Sequence, residues 1–261
     1  MSSTQVYLIL GASGSGRREV VADLVSDLVD RGETVATFLA ASEAASTHDA
    51  RLGRVERWEW TTEHVIRIER PAEATVMFFI LDGARNPVDQ VEAFRAWLAS
   101  SGAELARIFC VVDCQLAHRE PKLLAWYDAC IHFSDVVLLN RRQDVPNKWM
   151  SDFIDRFRSQ HIPCLVEYVK EGRVKNPALL LEPQARRMSL AFDEDAVVLP
   201  PGVVFEDETE EEDDEEAGER SPDDGDEPPG EDPYFQRKPG GRRVREIPDI
   251  AEFIARRNAG A

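Results

Sequence analysis

A glycine-rich stretch near the N-terminus has the residue types that bind phosphate. The apolar residues 6–10 lead directly into the sequence GASGSGRR of residues 11–18, and an apolar pattern at helical spacing follows. Strand, glycine-rich loop and helix in this order place backbone N–H groups and the positive end of a helix dipole around one anion. We call residues 11–18 the glycine loop. We predict that it binds phosphate through Gly11, Ser13, Gly14, Ser15, Gly16, Arg17 and Arg18.

The glycine loop departs from the phosphate-binding pattern GxxxxGKS/T at its last two positions. Gly11 and Gly16 have the required spacing, but Arg17 stands at the lysine position and Arg18 at the position of the Mg²⁺-binding hydroxyl. Arg17 can still supply charge and paired hydrogen bonds to phosphate. Arg18 cannot bind Mg²⁺, on which phosphoryl transfer relies, so we expect weak or absent hydrolysis. The alternative is a glycine-rich turn without a ligand.

Three further polar residues follow apolar runs that predict buried strands. Asp82 comes after residues 76–81, Asp113 after residues 106–112, and Asn140 after residues 136–139. In a parallel sheet, ligands bind beyond the carboxyl ends of the strands. We therefore expect these residues and Gly11 to lie together on one rim of the sheet.

The pattern of the chain up to residue 168 predicts an α/β protein. Strands are expected at 6–10, 35–39, 55–60, 76–81, 106–112, 136–139 and 164–168, with helices in most of the intervals and an ambiguous stretch at 62–70. Alternating strands and helices imply right-handed crossovers, hence a mostly parallel sheet with helices on both faces.

The charge of the chain is concentrated near its C-terminus. The net charge is −18, and residues 206–232 contain 17 acidic residues and one basic residue. Such a stretch is too polar to bury a core, so we expect a disordered acidic tail, and we expect the deletion of residues 206–261 to change stability little. The predicted organisation is a main domain (1–170), an extension packed on or near its edge (171–205), a disordered acidic and then basic linker (206–246) and a short C-terminal helix (247–258). Within the extension, residues 178–205 are expected to add a strand or a hairpin to the edge of the domain.

Composition argues against several classes of protein. Nucleic-acid binding is disfavoured because no basic stripe offsets repulsion from phosphates. The sequence shows no basic and apolar leader and no apolar run of about 18 residues, so we expect neither secretion nor membrane spanning. The four cysteines form no CxxC pair, which favours free thiols in a reducing cytoplasm. Cys114 and His118 lie four apart, but two ligands without a third favour ordinary packing, so no metal site is predicted.

Taken together, the stretches across residues 5–168 resemble the CobW/HypB/UreG family of P-loop GTPases. Residues 10–18 resemble the family's GxxGxGKTT loop, residues 80–87 its ETTGLADP element, and residues 111–113 its VVDA element. Residues 133–142, FSDVVLLNRR, resemble its FADRILLNKTD segment. The resemblance implies a P-loop NTPase-like fold that binds GTP or GDP, with Asn140 beside the glycine loop as a nucleotide contact. It also implies a link to metal-cofactor insertion.

The departures from this family fall on its chemistry. Ile80 replaces the glutamate of ETTG, and Gln143 stands where NKxD has the carboxylate that selects guanine. The family's CxCC metal motif is absent, because no cysteine precedes Cys110. We therefore predict a nucleotide-binding protein whose hydrolysis is weak or lost.

Two alternatives remain open. The first is a non-catalytic pseudo-GTPase scaffold whose tail presents residues 233–258 to a protein partner. The second is a nucleoside or nucleotide kinase, since those enzymes also use a strand–loop–helix phosphate site. The resemblance beyond residue 80 counts against the kinase.

Overall fold

An eight-stranded sheet forms the centre of the protein in a computed structural model, which describes residues 3–61, 65–193 and 232–259. The strands are β1 (Gln5–Gly11), β2 (Val35–Ala40), β3 (Arg54–Trp60), β4 (Ile66–Arg67), β5 (Val76–Ile80), β6 (Glu104–Asp113), β7 (Val136–Asn140) and β8 (Leu165–Tyr168). The helices are α1 (Arg17–Asp30), α2 (Pro87–Ser101), α3 (Cys114–Arg119), α4 (Leu124–His132), α5 (Asn147–Arg158), α6 (Pro177–Leu181) and α7 (Ile250–Ala259).

The sheet has the order β4-β3-β2-β5-β1-β6-β7-β8 and is parallel except at one edge. Only the pair β3–β4 among these strands is antiparallel. The strand that precedes the glycine loop, β1, lies between β5 and β6 in the middle of the sheet. The predicted α/β fold with a mostly parallel sheet is confirmed.

Helices cover both faces of the sheet, and the strands alternate between two apolar cores. In β1, Tyr7 and Ile9 pack with α1 and α6, whereas Leu8 and Leu10 pack with α2, α4 and α5. Strands buried on both faces read as continuous apolar runs, which is why β5 and β6 were predictable from sequence.

The expected strand or hairpin in residues 178–205 is wrong for the part that the structure describes. Residues 174–193 contain α6 and no strand. The fully buried Arg107 donates to the carbonyl oxygens of Leu179 and Leu180 at 2.9 and 3.2 Å and to that of Gln184 at 3.1 Å. These bonds satisfy carbonyl groups at and just after the end of α6, and they hold this segment against β6.

The C-terminal segment, residues 232–259, packs against the sheet domain. Tyr234 and Phe235 are buried, and the ring of Phe235 stacks on that of Phe133 with 5.3 Å between centroids. Arg243 is also buried and pairs with Asp89 at 2.6 Å and Glu92 at 2.7 Å, both on α2. The predicted disordered linker is therefore wrong for residues 232–246, whereas residues 206–231 lie outside the described residues.

A buried carboxylate fixes the start of this segment. Asp232 Oδ2 accepts a hydrogen bond from the Ser189 hydroxyl at 2.5 Å and lies 2.8 Å from Nε2 of His132. Burial raises the pKa of Asp232, but the hydrogen bonds from His132, Ser189 and the Tyr234 N–H outweigh it, and the net pKa is lowered. Asp232 is therefore ionised at neutral pH and stabilises the docked segment.

The apolar side of α7 faces its own domain. Ile250 is 1% exposed and Phe253 5% exposed, and Ile254 packs against the same core. The scaffold alternative presents residues 233–258 to a protein partner. In the structure, the apolar side chains of α7 are covered within the chain itself.

Candidate functional site

The glycine loop joins the central strand β1 to the first turn of α1. Gly16 is the N-cap of this 14-residue helix and has a φ of 95°, and no side chain caps the helix at that end. The first N–H groups of a helix have no partner within the helix. Those of α1 therefore face the loop, together with the positive end of the helix dipole.

Asn140 holds the glycine loop from the end of β7, which β6 separates from β1 in the sheet. Its Nδ2 atom donates to the carbonyl oxygen of Ser15 at 2.8 Å. A Cβ atom added to Gly16 would lie 2.1 Å from the same Nδ2 atom. Only glycine accommodates this close approach, so Asn140 and Gly16 fix the shape of the loop together.

One polar group inside the loop has no partner. Ser15 is 0% exposed, and its hydroxyl oxygen accepts or donates no hydrogen bond among the described residues. This oxygen lies 3.2 Å from where a Cβ on Gly11 would stand, so it points back across the loop. A buried hydroxyl without a partner costs free energy, and a ligand in the loop would supply the missing bond.

The two loop arginines are held by carboxylates from the segment after β2. Arg17 is 4% exposed, forms an ion pair with Glu43 and donates to the carbonyl oxygen of Leu81. Arg18 pairs with Glu43 at 2.8 Å and with Asp49 at 2.9 Å. Both guanidinium groups are thus drawn toward residues 43–49.

Glu43 links these two arginines to the loop after β5. Burial raises its pKa, but the charge of Arg17 and the hydrogen bonds from Arg18, Arg17 and the Gly83 N–H outweigh burial, so the pKa is lowered. Because the folded-state pKa lies below the unfolded value, this contribution to stability is present at neutral pH. It is lost as the pH falls through the lowered pKa.

The prediction that four strand ends share one rim is confirmed. Asp113 pairs in register with Asn140, and Gly11 pairs with Val111 two residues before Asp113. Near Asp82, the Ser13 N–H donates to the carbonyl oxygen of Gly83 at 2.9 Å.

A cleft of about 840 Å³ opens on this rim. Its walls are the glycine loop, the segment after β2, the loop after β5 and the start of the C-terminal helix, including Ser13, Gly14, Arg18, Glu43, Asp82 and Asp249. The volume falls within the range of small-molecule sites, and the lining carries charges of both signs.

The residues at the Mg²⁺ position do not fit a metal ion. Arg18 is a cation, and both oxygens of Asp82 are engaged: Oδ2 by Ser42 at 2.8 Å and by Arg85 at 3.0 Å, and Oδ1 by the Ala84 N–H at 2.9 Å. Across the described ranges, no three His, Cys, Asp or Glu side chains lie together as metal ligands.

Cys114 and His118 do not form a site with a third ligand in the described part of the chain. Burial, as the largest influence, raises the pKa of the Cys114 thiol to about 12. The ring of His118 packs edge-on against Trp149 with 5.5 Å between centroids. Both side chains have packing roles.

Sequence reasoning missed two residues at the rim. Glu43 lies in a stretch that reads as a surface loop, and no local pattern marks it. Arg257 carries a signal, because Ile250, Phe253, Ile254 and Arg257 follow the i, i+3, i+4, i+7 spacing of one helix face. The same face that docks α7 therefore also carries an arginine toward the loop.

The similarity of the chain to known proteins was found at the level of structure. No protein-family model matches the chain, and no curated protein matches it significantly. Zn(II)-bound YjiA GTPase from E. coli matches with a TM-score of 0.46 and 14% identity over 70% of this chain and 62% of that chain. Hydrogenase maturation factor HypB from Archaeoglobus fulgidus matches with a TM-score of 0.43 and 10% identity over 64% and 82%.

Cell division protein FtsY from Thermotoga maritima also matches, with a TM-score of 0.42 and 13% identity over 67% of this chain and 66% of that chain. The chain thus spans less than two thirds of YjiA and FtsY. The strand order and the glycine loop, rather than these matches, carry the fold assignment. In the described residues, every helix is too short or too polar to cross a bilayer.

Proposed function

We propose that the chain binds the phosphates of a nucleotide, GDP or GTP, on the glycine loop and hydrolyses them weakly or not at all. The observation that carries this proposal is the buried Ser15 hydroxyl without a partner, enclosed by a loop at the N-terminus of α1. Backbone N–H groups in such a loop bind phosphate without a metal ion. The proposed contacts are those predicted from sequence, Gly11, Ser13, Gly14, Ser15, Gly16, Arg17, Arg18 and Asn140.

Weak turnover follows from the groups around the loop. Phosphoryl transfer needs Mg²⁺ and positioned charge at the transferred phosphate. Arg18 occupies the hydroxyl position, the oxygens of Asp82 are already engaged, and Ile80 offers no carboxylate. These features support binding that does not depend on Mg²⁺.

We infer that the base of the nucleotide contributes less to the binding affinity than the phosphates do. The Nδ2 atom of Asn140 donates to the carbonyl oxygen of Ser15, and Gln143 cannot replace a guanine-selecting carboxylate. The preference for GDP or GTP therefore rests on the resemblance, and we expect ATP to bind within about tenfold of GTP. The free cysteines Cys110, Cys114, Cys130 and Cys164 support a cytoplasmic location.

Binding without turnover is the expected result for the unmodified full chain. Calorimetric titration with GDP, GTP, ATP and pyrophosphate should show salt-sensitive binding that EDTA leaves unchanged, because backbone N–H groups and arginines provide the contacts. Phosphate release from GTP, measured in parallel, should stay at the rate of buffer with Mg²⁺. The double substitution Arg17→Lys with Arg18→Thr should not restore full activity, since Ile80 and Gln143 remain.

Brisk GTP hydrolysis that requires Mg²⁺ would contradict this account. The absence of heat from every ligand at millimolar concentration would instead favour the non-catalytic scaffold. One observation already favours that alternative: Glu43 and Asp49 neutralise Arg17 and Arg18 within the protein. The docked α7 argues against the form of the scaffold in which this helix awaits a partner.

A further inference from the structure

The C-terminal helix runs along the rim that carries the glycine loop. Ile250 and Phe253 anchor α7 in the core shared with α2 and α4. Asp249 and Ala251, at the start of the helix, line the cleft beside the loop. Two turns farther along, the same side of α7 brings Arg257 to the loop.

The guanidinium group of Arg257 lies against Gly14. A Cβ atom built on Gly14 would stand 2.6 Å from Nη2 and 2.9 Å from Nη1 of Arg257. The Arg257 Nη1 atom is also 3.5 Å from Oδ2 of Asp113, a carboxylate that lies 3.9 Å from Arg141.

This arrangement places a cation where a helix N-terminus favours an anion. The N–H groups of the first turn of α1 and the Arg257 guanidinium both carry positive charge, and they converge on the same loop. The two arginines of the glycine loop, Arg17 and Arg18, are drawn toward Glu43. A phosphate between the loop and Arg257 would be stabilised by both positive groups and could complete the hydrogen bonding of Ser15.

We propose that Arg257 is a further phosphate-binding residue, supplied by α7 to the glycine loop, where its charge adds to that of Arg17, which Glu43 partly neutralises. The ligand it recognises is the di- or triphosphate group of the nucleotide. This inference rests on the proposed function, since it assigns a further residue to the same site. The opposite role, a helix that blocks the loop until it leaves, predicts the opposite effect on affinity.

The test is calorimetric titration of the full chain with pyrophosphate, comparing Arg257→Gln with unmodified protein. The substitution removes the charge and retains part of the stem, and it should weaken binding about tenfold or more, as expected for a lost charge-assisted hydrogen bond. The matched control is Arg256→Gln, which removes the same charge from the same helix. Arg256 is 61% exposed and faces Glu120 and Glu252, so its loss should change affinity less than twofold.

The position of α7 is followed by hydrogen exchange of residues 250–257. If exchange is unchanged and Arg257→Gln binds pyrophosphate as tightly as the unmodified chain, or more tightly, the role of Arg257 is overturned. If the substitution undocks the helix, Arg257→Met, which keeps the apolar stem and removes the charge, decides: a loss of about tenfold with α7 docked supports the phosphate contact, and affinity within about threefold of the unmodified chain overturns it. If the unmodified protein does not bind pyrophosphate, the proposed function is overturned together with the role of Arg257. If only the Arg257 variant binds as tightly as the unmodified chain, the role of Arg257 alone is overturned.

Discussion

Gly16→Val is expected to abolish pyrophosphate binding to the glycine loop. The new Cβ would lie 2.1 Å from Nδ2 of Asn140, at a backbone φ of 95° that side chains rarely adopt. Relief of this clash must break the hydrogen bond from Asn140 to the Ser15 carbonyl and widen the loop. The strain itself is about 1–3 kcal/mol, and the loss of convergent N–H groups adds to it. Titration calorimetry should show no binding at millimolar ligand.

Gly32→Val is the matched control for this substitution. Gly32 has a φ of 87°, but a Cβ built there meets nothing within 4 Å. Its valine variant therefore carries the backbone strain without the clash and should bind pyrophosphate like the unmodified chain. Circular dichroism should show the sheet intact in both variants. Native-like affinity in Gly16→Val would mean that the ligand binds elsewhere.

Phe235→Ala is expected to destabilise the protein strongly, although the sequence suggested that its surroundings were dispensable. Phe235 is 4% exposed and stacks on Phe133 beneath the sheet. Truncating a buried phenylalanine costs about 3–5 kcal/mol through lost burial and the cavity left behind. In a chain of this size each kcal/mol lowers the melting temperature by roughly 2–4 °C, so a fall of about 10 °C is expected by calorimetry.

Val244→Ala tests the same segment without the buried contact. Val244 is 44% exposed, so its truncation should shift the melting temperature by no more than about 2 °C. Phe253→Ala, on the docked face of α7, should behave like Phe235→Ala. Melting temperatures within about 2 °C of the unmodified chain for both phenylalanine variants would restore the expectation that residues 206–261 can be deleted with little loss of stability.

The parts of the fold that the sequence predicts are those that local pattern determines. The continuous apolar runs of β5 and β6 can be satisfied only between two helical layers. Gly11 and Gly16 mark the loop because their spacing follows from the turn that the backbone must make. Asp113 and Asn140 come together because parallel strands end at the same rim.

The parts that the sequence does not predict depend on contacts between distant residues. Phe235 packs on Phe133, which lies about a hundred positions earlier. Because a long acidic run separates the two residues, no local sequence pattern indicates that they share a core. Arg107 holds residues 177–181 against β6 through hydrogen bonds to Leu179 and Leu180, which lie more than 70 positions away in the sequence. Glu43 is informative only when it is seen beside Arg17 and Arg18, and nothing in its own neighbourhood distinguishes it.

The most direct measurement is the amide spectrum of the glycine loop in ¹⁵N-labelled full-length protein during titration with pyrophosphate. A phosphate held by backbone donors should shift the N–H signals of Gly14, Gly16 and Arg17 more than those of distant residues. The account predicts the same shifts in EDTA as in excess Mg²⁺, and a smaller response at high salt. Unchanged loop signals at millimolar pyrophosphate, or shifts that appear only with Mg²⁺, would contradict the claim that this loop binds phosphate without a metal ion.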